Sequence, residues 1–194
     1  TQYTKDFADI LVGVNYKQFV LNSQGTLFAD SLGPIHTAEY GAYIQATRAI
    51  TKSIKITASG RYDKNQNFEG RFTPRVTALV KVAEHNNLRF SYQSAYRFPS
   101  NQQQWINLAV GGTHLVGSNA NFVNYLGTNT NPLYTFNTVP NTSNINNFKI
   151  ITMPTVKPES VSSFELGYKG LLLQNRLLID VYGYFGQYQD FISR

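Results

Sequence analysis

Leu88-Arg89-Phe90-Ser91-Tyr92-Gln93-Ser94-Ala95-Tyr96-Arg97-Phe98 is the stretch on which the fold turns. Leu88, Phe90, Tyr92, Tyr96 and Phe98 fall on one side of a period-two pattern, and Arg89, Ser91, Gln93 and Arg97 on the other. Successive side chains of a strand point to opposite faces, so such a segment has one apolar and one polar face. A strand in a soluble sheet usually runs about 5–6 residues. This one alternates over roughly ten, the length of a tilted strand that crosses a bilayer.

The same pattern recurs on both sides. Ile54, Ile56, Ala58, Gly60 and Tyr62 oppose Lys55, Thr57, Ser59, Arg61 and Asp63. Phe72, Val76, Ala78, Val80 and Val82 oppose Arg71, Thr73, Arg75, Thr77 and Lys81. Phe164, Leu166, Tyr168 and Leu172 oppose Ser163, Glu165, Gly167 and Lys169, and Leu177, Ile179, Val181 and Phe185 oppose Asp180, Tyr182, Tyr184 and Tyr188. Two less regular strands precede these, at 8–21 and 39–50. Helical periodicity is nearly absent. The pattern predicts an all-β chain, an antiparallel meander of about seven long strands.

The connections alternate strictly in length. Thr51-Lys52-Ser53, Glu84-His85-Asn86-Asn87 and Gln174-Asn175 are tight turns, while 22–38, 64–70 and 99–160 are long links. Membrane barrels alternate in this way, short turns on one side of the bilayer and long loops on the other. Tyr40, Tyr43, Tyr62, Phe68, Phe72, Tyr96, Phe98, Tyr182, Tyr184 and Tyr188 are expected toward the long-loop ends, as an aromatic girdle. The segment 99–160 is rich in Asn, Thr and Gly and nearly free of charge. So long a link fits a barrel with one large external loop better than a soluble domain.

Composition agrees. Of 194 residues only 14% are charged, against about 25% in soluble domains, while 14% are aromatic and 42% hydrophobic. There is no Cys, which excludes disulfide scaffolds, thiolate metal sites and cysteine nucleophiles. No apolar run approaches the ~18 residues of a membrane helix. Thr1-Gln-Tyr-Thr-Lys5 reads as the interior of a longer sequence rather than a signal peptide.

Catalytic chemistry is hard to find. His36, His85 and His114 lack metal-ligand spacing with one another or with a carboxylate and read as solvated side chains, His85 in a turn and the others in loops. No nucleophile-elbow, phosphate-loop or dinucleotide motif occurs, and no cofactor or metal is expected. Glu165 and Asp180 lie on one hairpin and suggest an ion-pair lattice with Lys169, Arg176 and other basic residues rather than acid–base work. The net charge of +6 concentrates on the polar face, at Lys55, Arg61, Arg71, Arg75, Lys81, Arg89, Arg97, Lys169 and Arg176. The aromatics are not interleaved with these charges, which argues against nucleic acid as a partner. A barrel lumen that grips an internal domain or favours anionic cargo fits better.

Gly60-Arg61-Tyr62-Asp63, Thr73-Pro74-Arg75 and Arg89 to Ser100, followed by Ser163-Phe164-Glu165-Leu166-Gly167-Tyr168-Lys169-Gly170 and Asn175-Arg176-Leu177, resemble successive barrel strands of TonB-dependent outer-membrane receptors, in the family's order. Pro99-Ser100-Asn101-Gln102-Gln103-Gln104-Trp105-Ile106 is similar to the segment after that strand in receptors of Bacteroidetes type. The resemblance implies a segment of a large transmembrane β-barrel of about 22 strands, cut from its later half, with residues 1–194 as partial barrel, 99–160 as the extracellular loop and the plug domain absent. It also implies the cell outer membrane as location, lipid, plug, the TonB complex and a scarce nutrient as partners, and import of a siderophore, vitamin, peptide or oligosaccharide. An enzyme is not expected. Within the loop, Trp105, Tyr125, Tyr134 and Phe136 are the candidate ligand contacts, because aromatic faces stack on sugars and planar rings. An isolated segment is expected to pair with further copies through its sheet edges. Two alternatives are a soluble β-sheet module for glycans or peptides, and a small self-contained outer-membrane barrel or adhesin.

Overall fold

The computed structural model describes residues 2–5, 7–111, 113–120, 122, 133–134, 150–151 and 155–191. In chain order the elements are β1 (Gln2–Lys5), β2 (Ala8–Leu21), β3 (Ile35–Ala49), β4 (Ile54–Asn65), β5 (Arg71–Ala83), β6 (Asn86–Arg97), α1 (Asn101–Trp105), β7 (Asn107–Val110), β8 (Thr113–Val116), β9 (Leu133–Tyr134), β10 (Ile150–Ile151), β11 (Glu159–Leu172) and β12 (Leu177–Gln189). The seven long alternating runs form strands of 12–15 residues. A short strand, β1, joins them at one edge, giving an eight-stranded sheet ordered β1-β2-β3-β4-β5-β6-β11-β12. His36 and His114 lie in strands β3 and β8 rather than in loops.

The chain divides into two compact units. The first is Thr1–Lys17, Ala38–Phe98 and Pro158–Arg194, and the second is Gln18–Thr37 and Pro99–Lys157.

Register decides the faces of the sheet. Ile56 pairs with Ala78, Ala78 with Phe90, Phe90 with Leu166 and Leu166 with Gly183. Partners across an antiparallel ladder share a face, so these five residues form one row on one side. The row above it runs Ala58, Val76, Tyr92, Phe164, Phe185 on the same side. The apolar sets of separate strands are therefore one continuous face. One residue away, Thr57, Thr77, Ser91, Glu165 and Tyr184 form a row on the opposite side. The period-two pattern of each strand is a property of the whole sheet.

That apolar face is uncovered. Leu166 is 52% exposed, Phe164 58% and Phe185 69%. Among the described residues the buried apolar side chains are Leu21, Ala29, Trp105 and Phe122, and the long strands of the first unit contribute none. A contiguous apolar surface on this scale marks an interface with lipid or another protein.

The aromatic pattern holds for part of its expected membership. Tyr40, Tyr62, Phe72 and Tyr96 stand at the long-connection ends with the register of the apolar face. Phe98 stacks on Phe68 at 6.1 Å and meets Tyr96 edge-on at 4.9 Å. Gly60 leaves room for the neighbouring Phe72 ring, since a Cβ at 60 would come within 2.5 Å of it. Tyr182 and Tyr184 depart from the expectation. They sit across from Gly167 and Glu165, on the polar side their alternation predicts but near mid-strand rather than at the long-connection end. Tyr43 and Tyr188 also carry the polar-face register, paired with Arg61 and Val161. Strand counting from sequence locates an aromatic along a strand only as well as it locates the strand's end.

Arginine at Leu166, in the middle of the apolar face, is expected to cost about 2–4 kcal/mol of stability in the intact lipid-embedded barrel. Arginine at Ser163, on the opposite face, is expected to cost far less. Denaturant titration of vesicle-refolded protein measures both, and equal costs would show that the faces are wrongly assigned.

Candidate functional site

The polar face of the sheet carries ordered ion pairs at both ends. Near the long connections, the Arg61 guanidinium donates to both carboxylate oxygens of Asp63 at 2.6 Å and to Asn15 Oδ1 at 3.0 Å. Gly41 lies beneath this group, where any side chain would strike Asp63 and Asn15. Strands β2, β3 and β4 meet there around one fork of donors. Arg97 pairs with Glu159 at 2.7 Å, its direct cross-strand partner. Toward the short turns, Lys169 pairs with Asp180 at 3.1 Å and Arg89 with Glu165 at 3.6 Å. Gly167 leaves a recess between these two pairs, walled by Leu79, Asn87 and Tyr182. The Glu165 and Asp180 carboxylates thus have separate basic partners and form no acid–base dyad. Pairs this exposed contribute about 0–1 kcal/mol each; they set the shape and charge of the wall more than its stability.

The second unit has its own core. Trp105, Phe122, Leu21 and Ala29 are buried together, with Phe28, Ile35 and Val116 packed against them. Helix α1 begins with a reciprocal cap. Gln103 N–H donates to Ser100 Oγ, and Ser100 N–H donates to Gln103 Oε1 at 2.8 Å. Gln104 is buried and bridges two segments. Its Nε2 donates to the Pro99 carbonyl at 2.8 Å, and its Oε1 accepts from Asn119 Nδ2 at 3.1 Å. The link 22–38 joins the same unit through backbone bonds, Ala29 N–H to the Trp105 carbonyl and Asn107 N–H to the Leu27 carbonyl.

Asp30 organises that link. It is 3% exposed and accepts from the Ser23 hydroxyl at 2.7 Å, from Gly25 N–H at 2.7 Å and from Ser23 N–H. Burial alone pushes its carboxyl up, but these donors outweigh burial and hold it below the ordinary 3.8. Neither Asp30 nor the Gln104–Asn119 bond is signalled by spacing, because each joins segments that are remote or irregular. The Ser100–Gln103 cap does have a local signal, a serine with a glutamine three residues later.

The four candidate contact residues separate in the structure. Trp105 is 9% exposed with its ring against Phe122 at 6.3 Å; its indole Nε1–H has no hydrogen-bond partner among the described residues. Tyr134 is half-buried on β9, which pairs with β10. Tyr125 and Phe136 lie outside the described residues. Among the described residues no group of His, Asp and Glu is arranged to hold a metal. His114 instead bonds Asn107 Oδ1 through Nε2 at 2.7 Å.

An uncovered apolar face, a charged opposite face and alternating turn and loop lengths define a wall of a transmembrane β-barrel. Residues 1–194 match the sequence model of the TonB dependent receptor-like β-barrel family, and the chain belongs to that family. Its place is therefore the outer membrane. Among solved structures it is similar to the siderophore receptor PirA from Acinetobacter baumannii, with 15% identity and a TM-score of 0.61 over 97% of this chain and 25% of that one. It is likewise similar to the siderophore receptor PirA from Pseudomonas aeruginosa, with 16% identity and a TM-score of 0.62 over 96% of this chain and 30% of that one. The chain thus spans about a quarter to a third of the receptors it resembles. No curated protein matches it.

Replacing Asp30 with Ala leaves the half-buried donors at Ser23 and Gly25 without their acceptor and is expected to destabilise the second unit by about 1–3 kcal/mol. Because the folded carboxyl is held down, its contribution is complete above the ordinary value of 3.8 and fades as pH falls through the lower folded value. Fluorescence of the single Trp105, followed against denaturant at pH 7 and near pH 3, is expected to show a loss with acid in the parent protein and a smaller one in Asp30→Ala.

Proposed function

We propose that the chain is wall and external loop of an outer-membrane receptor that imports a scarce nutrient with energy delivered through TonB. The continuous apolar face across the long strands carries this reading, taken with the family assignment. A soluble glycan- or peptide-binding sheet of this width would have to cover that face. In the proposed receptor the apolar side meets lipid and the polar side lines the lumen, where the charged rows meet the plug. The segment 99–160, together with 18–37, forms the extracellular element that meets cargo. Cargo belongs to the siderophore, vitamin, peptide or oligosaccharide classes, and the likeness to two siderophore receptors supports the transport architecture. The loop suits an uncharged, hydrogen-bonding surface of cargo, since its side-chain amides donate and accept equally. Tyr134, with Tyr125 and Phe136, supplies the aromatic contacts, while Trp105 belongs to the buried core of the second unit.

Deleting 119–147 from the full-length receptor tests this. The barrel is expected to assemble, shown by heat-modifiable migration of membrane-extracted protein, while whole-cell uptake of the nutrient falls at least tenfold. Unchanged uptake in a well-assembled deletion would remove the loop from cargo recognition.

A further inference from the structure

The apolar face carries a cation at its short-turn end. Arg48 is the next-to-last residue of β3, which ends at Ala49 and turns through 50–53 into β4. It pairs with Ile56, and that row continues through Ala78, Phe90 and Leu166, so Arg48 stands on the apolar side. The cations of β4, β5, β6 and β11 stand on the opposite side, with one exception. Lys64, paired with Tyr40, shares the apolar register at the long-connection end, where its Nζ donates to the Phe68 carbonyl. The Arg48 guanidinium instead lies over the Phe7 ring, 4.1 Å from its centre, and makes no ion pair or hydrogen bond among the described residues. Phe7 sits in the turn between β1 and β2 and is 66% exposed. The next row away from the turn has small side chains on these strands, Ala46 paired with Ala58, both exposed. The turn after Arg48 adds a second exposed cation, Lys52.

A cation on the lipid side of a barrel is costly at the bilayer midplane and nearly free at the interface, so this guanidinium belongs at headgroup depth. The Phe7 ring covers one face of it and leaves the N–H donors at its edge pointing outward. Those donors form a fork that fits two oxygens of a phosphodiester. Both strands beside β3 are part of this chain, so on the outer surface no further strand of a receptor stands next to Arg48. The Ala46–Ala58 pair leaves a shallow trough beyond the guanidinium, where a straight hydrocarbon chain can lie. We propose that Arg48, stacked on Phe7, seats the phosphodiester of one phospholipid of the periplasmic leaflet, with an acyl chain along Ala46 and Ala58. The inference rests on the lipid-facing placement of the apolar side under Proposed function, and it adds a bound lipid at a defined position.

The experiment uses the full-length receptor in detergent, with dioleoylphosphatidylglycerol added and retained lipid counted by native mass spectrometry. The parent is expected to keep one lipid, and Arg48→Gln to bind it about tenfold more weakly. Phe7→Ala is expected to weaken binding about threefold, since the stacked ring only holds the guanidinium in place. Arg48→Lys is expected to fall between Arg48→Gln and the parent, and it carries the test if Arg48→Gln fails to assemble. Lys64→Gln, on the same face at the other end, is expected to match the parent. Dioleoylglycerol, which has the chains without the phosphate, is expected to be retained equally weakly by parent and Arg48→Gln. Equal retention of the phospholipid by parent and Arg48→Gln overturns the proposal, as does a parent that retains none. Displacement of the lipid by excess inorganic phosphate also overturns it, and makes the site one for a free anion. Cysteine labelling separates these results from failure of the underlying reading, because the sequence has no native Cys. In cells, Ala58→Cys is expected to react only with a lipid-partitioning maleimide. Lys52→Cys is expected to react with a water-soluble one only after the outer membrane is permeabilised. Reaction of Ala58→Cys with the water-soluble reagent, or of Lys52→Cys in intact cells, removes the lipid-facing or periplasmic placement, and the proposal with it. The expected labelling without Arg48-dependent retention removes the lipid seat alone.

Discussion

The structure depends on a single layer having two solvents. A sheet in water hides one face against a second sheet or a helix layer. Here the apolar row from Ile56 through Phe90 to Leu166 remains open, and the opposite row from Thr57 through Ser91 to Glu165 is polar throughout. Such a sheet is stable where one side meets hydrocarbon and the other water, and a barrel wall in a bilayer supplies both. The long strands follow from the same condition, since each has to traverse the hydrocarbon with its backbone bonds satisfied by neighbours.

The polar face is then free to be specific, because it is not asked to hold the fold together. Its carboxylates pair with Arg61, Arg89, Arg97 and Lys169, and hydroxyls and amides fill much of the band between them. Glycines serve the same arrangement. Gly41 makes space for the Arg61–Asp63–Asn15 group, and Gly167 opens the recess between the Arg89 and Lys169 pairs. Exposed pairs contribute little net energy, so the pattern is better understood as shaping charge than as adding stability.

The second unit obeys the opposite rule. It has an ordinary dry core around Trp105 and Phe122, and buried polar groups that satisfy one another, Gln104 with Asn119 and Asp30 with Ser23 and Gly25. In the described part of this low-charge, Asn- and Thr-rich segment a few buried anchors hold residues 99–122 against 18–37. Trp105 illustrates the division. Its large apolar ring is worth more as core than as an exposed platform.

Strand number, strand length, the two faces and the alternation of turns and loops were legible in the sequence, because side-chain direction in a strand has a period of two and each strand repeats it independently. The family resemblance was legible for the same reason, its motifs lying within single strands or hairpins. The pairing of β6 with β11 across 61 intervening residues was inferable only by elimination and became definite through register. What tertiary structure alone decided were relations between segments that share no local pattern. The joining of 18–37 with 99–157, the burial of Trp105, the bonds that Asp30 accepts from Ser23 and Gly25, and the mid-strand position of Tyr182 and Tyr184 all depend on which residues become neighbours across strands and links. No local periodicity encodes those distances, because they arise only when the ladder sets its register and the loop closes on its own core.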